Sequence, residues 1–335
     1  MKPVRVNTRD TADYDNLVDA AVKAARGKRL RPDARCFFEH FEKNINNLRK
    51  DILEGDAPYG YYKCFTIYDP KKRTIHAACF EDRVLHHALI NDVGPILERA
   101  MVPTTFACRP GKGPLAASGW VQHCIRRFPW YVKVDIRRYF DSIDHTLLKK
   151  ILNRRIKGEE VQKLIGQIIA SYRERPGKGL PIGSLTSQHF ANYYLDGLDR
   201  FILEDLRCCA YARYMDDMIW WCSDRQRAKT TLVMVKEWVS KNRLLDIKEN
   251  CQINKSIGGV TFCGYRILPG MMRLSKRRCR QYTVKRNRWE RAYLEGFIDE
   301  GKLQSAYASV YAGTAHADSR EWRKEQLRKY PPIIL

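Results

Sequence analysis

Two short stretches of this chain hold carboxylates where carboxylates are costly. Asp135 closes the run Tyr131-Val132-Lys133-Val134 and is followed by Ile136 and the aromatic pair Tyr139-Phe140. Asp216 and Asp217 follow Tyr214-Met215 between two apolar runs. A lone carboxylate at a strand end is by default a solvated cap. Two consecutive aspartates inside an apolar hairpin differ, because like charges repel and burial penalises each unless a cation neutralises them. Carboxylate oxygens from two strands suit Mg2+, a hard ion that takes octahedral oxygen ligands and shares substrate phosphates. Two such ions, roughly 3.5–4 Å apart, serve an in-line phosphoryl displacement. The competing reading is an exposed acidic turn.

The elements that must position these groups are legible in outline. Residues 13–54 carry helical apolar stripes, punctuated by Gly27 and Pro32. Tyr61–Tyr68 and Arg73–Phe80 read as strands around the turn Asp69-Pro70-Lys71-Lys72, and Phe80–Met101 as a helix. Trp130–Asp135 begins as a buried strand, and Asp144 caps a helix through about Arg155. Helical pattern continues over 160–172, the Gly/Pro stretch 173–184 is a loop, and Leu185–Leu206 is expected as one long helix. Residues 210–222 form a hairpin with a strained Met-Asp-Asp turn. Gln226–Asn242 is helical, Gly259–Leu268 returns as strand, and a basic helix starts at Ser275. Strands and helices alternate without a regular βαβ rhythm, so the fold class is α+β.

The charge balance names a partner class. The chain has 61 Lys+Arg against 38 Asp+Glu, a formal net charge of +23 over 335 residues. A polyanion such as nucleic acid neutralises that excess. A cationic membrane-surface protein would need a basic amphipathic helix or an anchor, and neither is visible. No apolar run approaches the ~20 residues that span a bilayer, and the N-terminus lacks a signal peptide's apolar stretch, so a cytoplasmic protein is expected. Eleven scattered cysteines without a CxxC pair argue against a disulfide framework or a zinc site. Most are expected to be buried reduced thiols. The Gly-Lys-Gly stretches at 111–113 and 177–179 match no phosphate-binding loop and read as plain loops.

Taken in order, the motifs carry a family resemblance. Tyr214-Met215-Asp216-Asp217 resembles motif C of reverse transcriptases, and the stretch from Val134 to His145 (VDIRRYFDSIDH) resembles motif A. Lys71–Glu98 and Phe106–Gly113 are similar to the preceding fingers motifs, Gly179–Asp196 to motif B, and Phe262-Cys263-Gly264-Tyr265 to the primer-grip hairpin. The resemblance implies a right-hand polymerase fold with fingers, a palm with an antiparallel sheet and a short helical thumb. The expected bounds are 1–60 for an N-terminal helical extension, 61–125 for the fingers, 126–270 for the palm and 271–335 for the thumb. The basic stretch Ser275–Arg291 then suits template–primer phosphates through Lys276, Arg277, Arg278, Lys285 and Arg286. Ala308–Ser319 resembles the small-residue helix that closes the thumb.

Site roles follow from the same resemblance. Asp135, Asp216 and Asp217 become ligands of two Mg2+ ions, with Ile136 offering a main-chain carbonyl. Phe140 stands where the family places the aromatic that clashes with a ribose 2′-hydroxyl. Arg73 and Lys63 are candidates to clamp the dNTP triphosphate, although Lys63 reads equally as an ordinary solvated charge. Lys248 is a candidate general acid toward pyrophosphate. Where many reverse transcriptases have Pro-Gln-Gly, this chain has Pro181-Ile182-Gly183, with Ser187-Gln188 following. That form resembles the enzymes of diversity-generating retroelements, bacterial or phage-encoded. It implies error-prone copying of template RNA at adenines and a small basic oligomeric accessory protein as partner. Replacing glutamine by Ile182 removes a hydrogen bond near the nascent pair, which weakens discrimination. A stand-alone polymerase without RNase H, integrase, maturase or HNH module is expected. The alternatives are a defence-associated bacterial reverse transcriptase and a non-catalytic RNA-binding scaffold.

Overall fold

In the computed structural model, residues 2–68 and 72–333 are described, so the expected turn at Asp69-Pro70-Lys71 lies outside the described residues. The chain divides into two units, each assembled from separated stretches. The first holds residues up to Pro103, Asp135–Leu206 and Val233–Glu249; the second holds Thr104–Val134, Arg207–Leu232 and the rest from Asn250. Helices and sheets are mixed in one chain, as the broken rhythm predicts.

In the first unit, helical apolar spacing does most of the building. Leu17, Ala20, Ala21, Ala24 and Ala25 form the buried stripe of Tyr14–Ala25. Two further helices, Pro32–Glu39 and Phe41–Glu54, bury Phe37, Ile45 and Leu48. The helix Phe80–Ala100 is apolar on several faces and buries Val84, Leu85, Leu89, Val93 and Leu97. Its Asp82 is also buried, and burial pushes the carboxyl's pKa up. The charge is held there by backbone N–H groups of Tyr59 and Gly60, which both donate to it at 2.8 Å. Those two bonds set the start of an antiparallel hairpin, Tyr62–Tyr68 against Lys72–Ala78.

The expected single helix over Leu185–Leu206 is divided. It runs as Leu185–Tyr194, Asp196–Arg200 and a π-turn, Phe201–Asp205. The cause is a side chain: Arg243 Nε donates to the Tyr194 carbonyl at 2.6 Å. The Leu198 N–H, which an unbroken helix would give to Tyr194, bonds Leu195 instead. A group inserted into the ladder in this way breaks a helix without proline.

A four-stranded sheet anchors the second unit, in the order Ala210–Tyr214, Asp217–Cys222, Trp130–Asp135, Gln252–Lys255. Only the last residue of the third strand, Asp135, is counted in the first unit. The first two strands are antiparallel, as are the last two. Their core takes Ala212, Ile219 and Trp221 with Val121, Cys124 and Ile125 of the helix Pro114–Arg127. Buried Trp220 satisfies its indole N–H on Thr231 Oγ1 at 3.0 Å.

Gly259–Leu268, read as strand with a hairpin resemblance at Phe262–Tyr265, is a hairpin of Val260–Phe262 and Tyr265–Ile267. Cys263 and Gly264 both have positive φ, 47° and 84°, and two such residues reverse the chain in a tight turn. Ser275 caps the helix Lys276–Leu294, and Glu300–Ala312 and Arg320–Lys329 follow. The small-residue stretch Ala308–Ser319 is helical only to Ala312, because Ser319 Oγ and the Ala315 and Ala317 N–H groups take turn bonds instead. The cysteines are free, but only Cys124, Cys208 and Cys222 are buried. Their expected burial was too general: Cys36, Cys64, Cys108 and Cys209 are exposed.

Candidate active site

The acidic turn belongs to the second unit. Tyr214 and Asp217 are its closing pair, which leaves Met215 and Asp216 at the tip. Met215 has φ 58°, a left-handed conformation that costs a non-glycine residue roughly 1–2 kcal/mol. Fully buried Arg213 holds the turn: its Nη1 donates to the Met215 carbonyl at 3.2 Å. Its own backbone is bonded on both sides, to Thr104 and Phe106. Lys133 Nζ lies 2.7 Å from Asp217 Oδ1 and sits over the Phe262 ring at 5.9 Å. Burial, and then the Asp217 carboxylate, push the Cys263 thiol well above its ordinary range.

Neither Lys133 nor Arg213 stands out in the sequence. The signal was there: each is a cation inside an otherwise apolar strand, where an unpaired charge is too costly to bury. The high background of Lys and Arg conceals it.

Asp135 belongs to the first unit. Lys248 Nζ is 2.6 Å from its Oδ1, and the Lys248 N–H donates to its carbonyl at 2.9 Å. A short ladder aligns the two segments, with Ile136 opposite Ile247 and the Arg137 N–H on the Asp246 carbonyl at 2.8 Å. Ile136 is buried. Beyond it the chain turns at Arg138, which has φ 45°. Tyr139 is buried, its hydroxyl donating to the Ala191 carbonyl, whereas Phe140 is half exposed. The Phe140 carbonyl accepts the Leu180 N–H at 2.9 Å.

The loop before Leu185–Tyr194 meets the N-terminal hairpin. The His76 N–H donates to the Ile182 carbonyl at 3.1 Å. At Gly183, φ is 114° and a Cβ would fall 2.9 Å from Ile75 Cγ2, so only glycine allows this approach. Register places Lys63 opposite Ala77 and Arg73 opposite Ile67, with Phe65 opposite Ile75 between them. Side chains alternate along a strand, so exposed Lys63 and Arg73 share the face that carries Ile75. Gln188 is half-buried in the following helix. Ser184 Oγ and His86 Nδ1 are 3.1 Å apart, and burial pushes His86 down to about 3, so the ring is neutral.

Basic residues expected on the template side separate by burial. Lys276, Arg277 and Lys285 are exposed, and Arg278 lies over the Tyr265 ring at 4.1 Å. Arg286 departs from the expectation: it is buried and its Nε donates to Glu290 at 2.7 Å. Glu290 also accepts from the Tyr307 hydroxyl at 2.7 Å, so Arg286 ties two helices together instead of facing a ligand.

Carboxylate oxygens, present at Asp135 in the first unit and at Asp216 and Asp217 in the second, are the donor type that a hard divalent cation takes. The donors are carboxylates alone, and Asp135 and Asp217 each direct an oxygen at an ammonium, a position that a metal ion would contest. Among the described residues no three His, Cys, Asp or Glu side chains are gathered closely enough to hold a metal.

Residues 68–267 match the family model described as reverse transcriptase (RNA-dependent DNA polymerase). The chain belongs to the reverse transcriptase family. Group II intron-encoded protein LtrA of Lactococcus lactis subsp. cremoris is 29% identical over 197 residues, 57% of this chain and 33% of that protein. Protein YkfC of Escherichia coli (strain K12) is 25% identical over 213 residues, 56% of this chain and 51% of that protein. The matched part of this chain therefore spans between a third and about half of these relatives. The reverse transcriptase span includes Asp135, Asp216, Asp217 and the Phe262–Tyr265 turn, and leaves Lys63 and the basic helix Lys276–Leu294 outside it. No helix among the described residues is long and apolar enough to cross a membrane.

Proposed function

We propose that the chain is the RNA-directed DNA polymerase of a diversity-generating retroelement, making adenine-mutagenic cDNA from a template RNA. The observation that carries this reading is Ile182. Its carbonyl is engaged by the His76 N–H, so backbone geometry fixes the loop while a branched apolar side chain occupies the position of the family's glutamine. A hydrogen-bonding amide is thereby removed from the side of the nascent pair, and discrimination weakens. The fingers, palm and thumb are assigned to 61–125, 126–270 and 271–335.

Asp135, Asp216 and Asp217 are the ligands of two Mg2+ ions in this reading. When bound, these supply activation of the primer hydroxyl and stabilisation of the charge that develops on the leaving pyrophosphate. The chain's own groups do the rest. Arg213 fixes the turn that presents Asp216 and Asp217, and Lys133 holds the Asp217 carboxylate in one orientation. Arg73 and Lys63, on one face of the hairpin, clamp the triphosphate. Phe140 excludes a 2′-hydroxyl by contact. Lys248, aligned by its backbone bond to Asp135, stands as proton donor to the departing pyrophosphate. The partners are template RNA, its duplex with cDNA, dNTPs and a small basic accessory protein.

The test is primer extension on an RNA template with Mg2+ and dNTPs, with the cDNA sequenced. Asp216→Ala/Asp217→Ala abolishes synthesis, wild-type substitutions cluster opposite template adenines, and Ile182→Gln reduces them. Accurate copying by the wild type would sink the mutagenic role and leave the polymerase. The likeness to a group II intron-encoded protein over 57% of the chain favours a second reading, a reverse transcriptase of the intron-encoded type.

A further inference from the structure

The stretch Arg173–Leu180, a plain loop by its composition, is stitched to the segment after Asp135 bond by bond. The Leu180 N–H donates to the Phe140 carbonyl at 2.9 Å, the Gly179 N–H to the Ile143 carbonyl at 2.9 Å, and the His145 N–H to the Gly177 carbonyl at 2.9 Å. The loop also folds on itself, Glu174 N–H to Lys178 carbonyl and Lys178 N–H to Arg175 carbonyl, both at 3.0 Å. Gly179 has φ 100°, and a Cβ there would lie 2.8 Å from Glu174 Cβ and 3.0 Å from its backbone nitrogen. The result is a strap whose end sits on the backbone of Phe140.

One side chain fastens this strap. His145 is buried, and its Nε2 lies 2.7 Å from the Gly179 carbonyl. A carbonyl oxygen only accepts, so Nε2 carries the proton, which fixes the tautomer. The neighbouring residues of the strap are bound as well. Arg138 Nη2 reaches Glu174 Oε1 at 3.4 Å, and the Tyr172 hydroxyl reaches Glu174 Oε2 at 3.3 Å and His76 Nε2 at 3.2 Å. His145 does not contribute to the carboxylates, the hairpin cations or the basic helix. Among the described residues its side-chain bond leads to the strap, and through Leu180 to Phe140.

We propose that His145 is a positioning residue for sugar discrimination: by holding the Gly179 carbonyl it fixes the strap, and the strap's Leu180–Phe140 bond fixes the aromatic ring against the sugar. This rests on the reading that Phe140 senses the 2′-hydroxyl. Exclusion by contact is steep in distance, so a ring released by a fraction of an ångström admits the extra oxygen. Residues outside the nucleotide's reach then determine which sugar is accepted.

The experiment compares kcat/KM for a dNTP and its matching rNTP on one template–primer, for wild type, His145→Ala, His145→Gln, His145→Asn, Phe140→Ala and the His145→Ala/Phe140→Ala double variant. Loss of one buried hydrogen bond lowers the dNTP-over-rNTP ratio about fivefold in His145→Ala. His145→Gln, whose amide nitrogen reaches where Nε2 stood, restores most of the ratio; His145→Asn, one methylene shorter, does not. In the Phe140→Ala background the His145 substitution changes the ratio less than about twofold, because the element it acts through is gone. Equal loss of kcat/KM for both nucleotides, with the ratio kept, overturns the inference and leaves His145 a purely structural residue. A ratio unchanged by Phe140→Ala alone overturns the Phe140 reading instead. Should His145→Ala not fold, the contrast between the glutamine and asparagine variants decides the matter.

Discussion

Gly179 and Gly264 are both turn glycines with positive φ, 100° and 84°, yet they are enclosed by different things. At Gly179 a Cβ would meet Glu174 Cβ at 2.8 Å and its backbone nitrogen at 3.0 Å. At Gly264 its nearest neighbours are all side-chain atoms of Arg278, Nε at 2.5 Å and Cδ at 3.2 Å. The strap of the first unit is thus shaped by backbone against backbone, and the hairpin of the second by a side chain that can swing away. The helices repeat the contrast. Phe80–Ala100 buries residues on several faces, whereas Lys276–Leu294 buries Arg286 alone. A rigid part suits geometric discrimination, and a yielding one suits a long polyanion whose sequence changes as it passes.

The largest effect should come from the same substitution made in both turns. Gly179→Ala adds left-handed strain and a backbone clash, a loss of roughly 2–4 kcal/mol. Gly264→Ala adds the strain alone, roughly 1 kcal/mol. Urea-unfolding midpoints of the two variants measure the difference. Equal losses would break the comparison, since Arg278 would then be as fixed as the Glu174 backbone.

What the sequence disclosed, and what it hid, divides along the range of the interactions. Asp144 as a cap was legible because cap chemistry is local: its side chain accepts from Leu147 N–H at 2.9 Å. The 210–222 hairpin was legible from two apolar runs around an acidic pair. The break after Tyr194 was not, because its cause, Arg243, is 49 positions away. The strap read as an ordinary loop for the same reason: its meaning lies in bonds to Phe140, Ile143 and His145, remote along the chain. Lys133 and Arg213, the cations that hold the acidic turn, were lost among 61 basic residues. Lys285 and Arg286 are adjacent and alike in type; only packing distinguishes the exposed one from the buried one.

Acid should sharpen the contrast between the units. The histidines pushed down by burial, His86 to about 3 and His87 to about 4, both lie in the first unit, as does His189, also lowered. Unfolded, each takes a proton near pH 6.5. Between that pH and the folded value the unfolded state binds more protons, so stability is full above pH 6.5 and falls with pH. For fully buried His86 the slope is about 1.4 kcal/mol per pH unit, or about 2 kcal/mol by pH 5. Hydrogen exchange at pH 7 and pH 5 should show the amides of Phe80–Ala100 losing protection before those of Asp217–Cys222. His86→Gln should flatten the dependence; an unchanged profile would place the acid-sensitive group elsewhere.

The smallest effects test the yielding part itself. Arg286→Ala removes the bond to Glu290 and should cost roughly 1.5 kcal/mol of stability, read as a lower urea midpoint, while nucleic-acid affinity at matched folded fraction changes little. Lys285→Ala should do the opposite. Its side chain is exposed, so the midpoint stays put. A lost phosphate contact instead lowers the slope of log affinity against log salt by about 0.7–0.9 for an RNA–DNA duplex. Fluorescence anisotropy of a labelled duplex at several salt concentrations measures it. If Lys285→Ala left the salt slope intact, the middle of the basic helix would be solvated and not bound, and template contacts would have to be sought in its first turn, at Lys276, Arg277 and Arg278. If Arg286→Ala changed the slope while Lys285→Ala did not, burial would be the wrong guide to which of these cations meets phosphate.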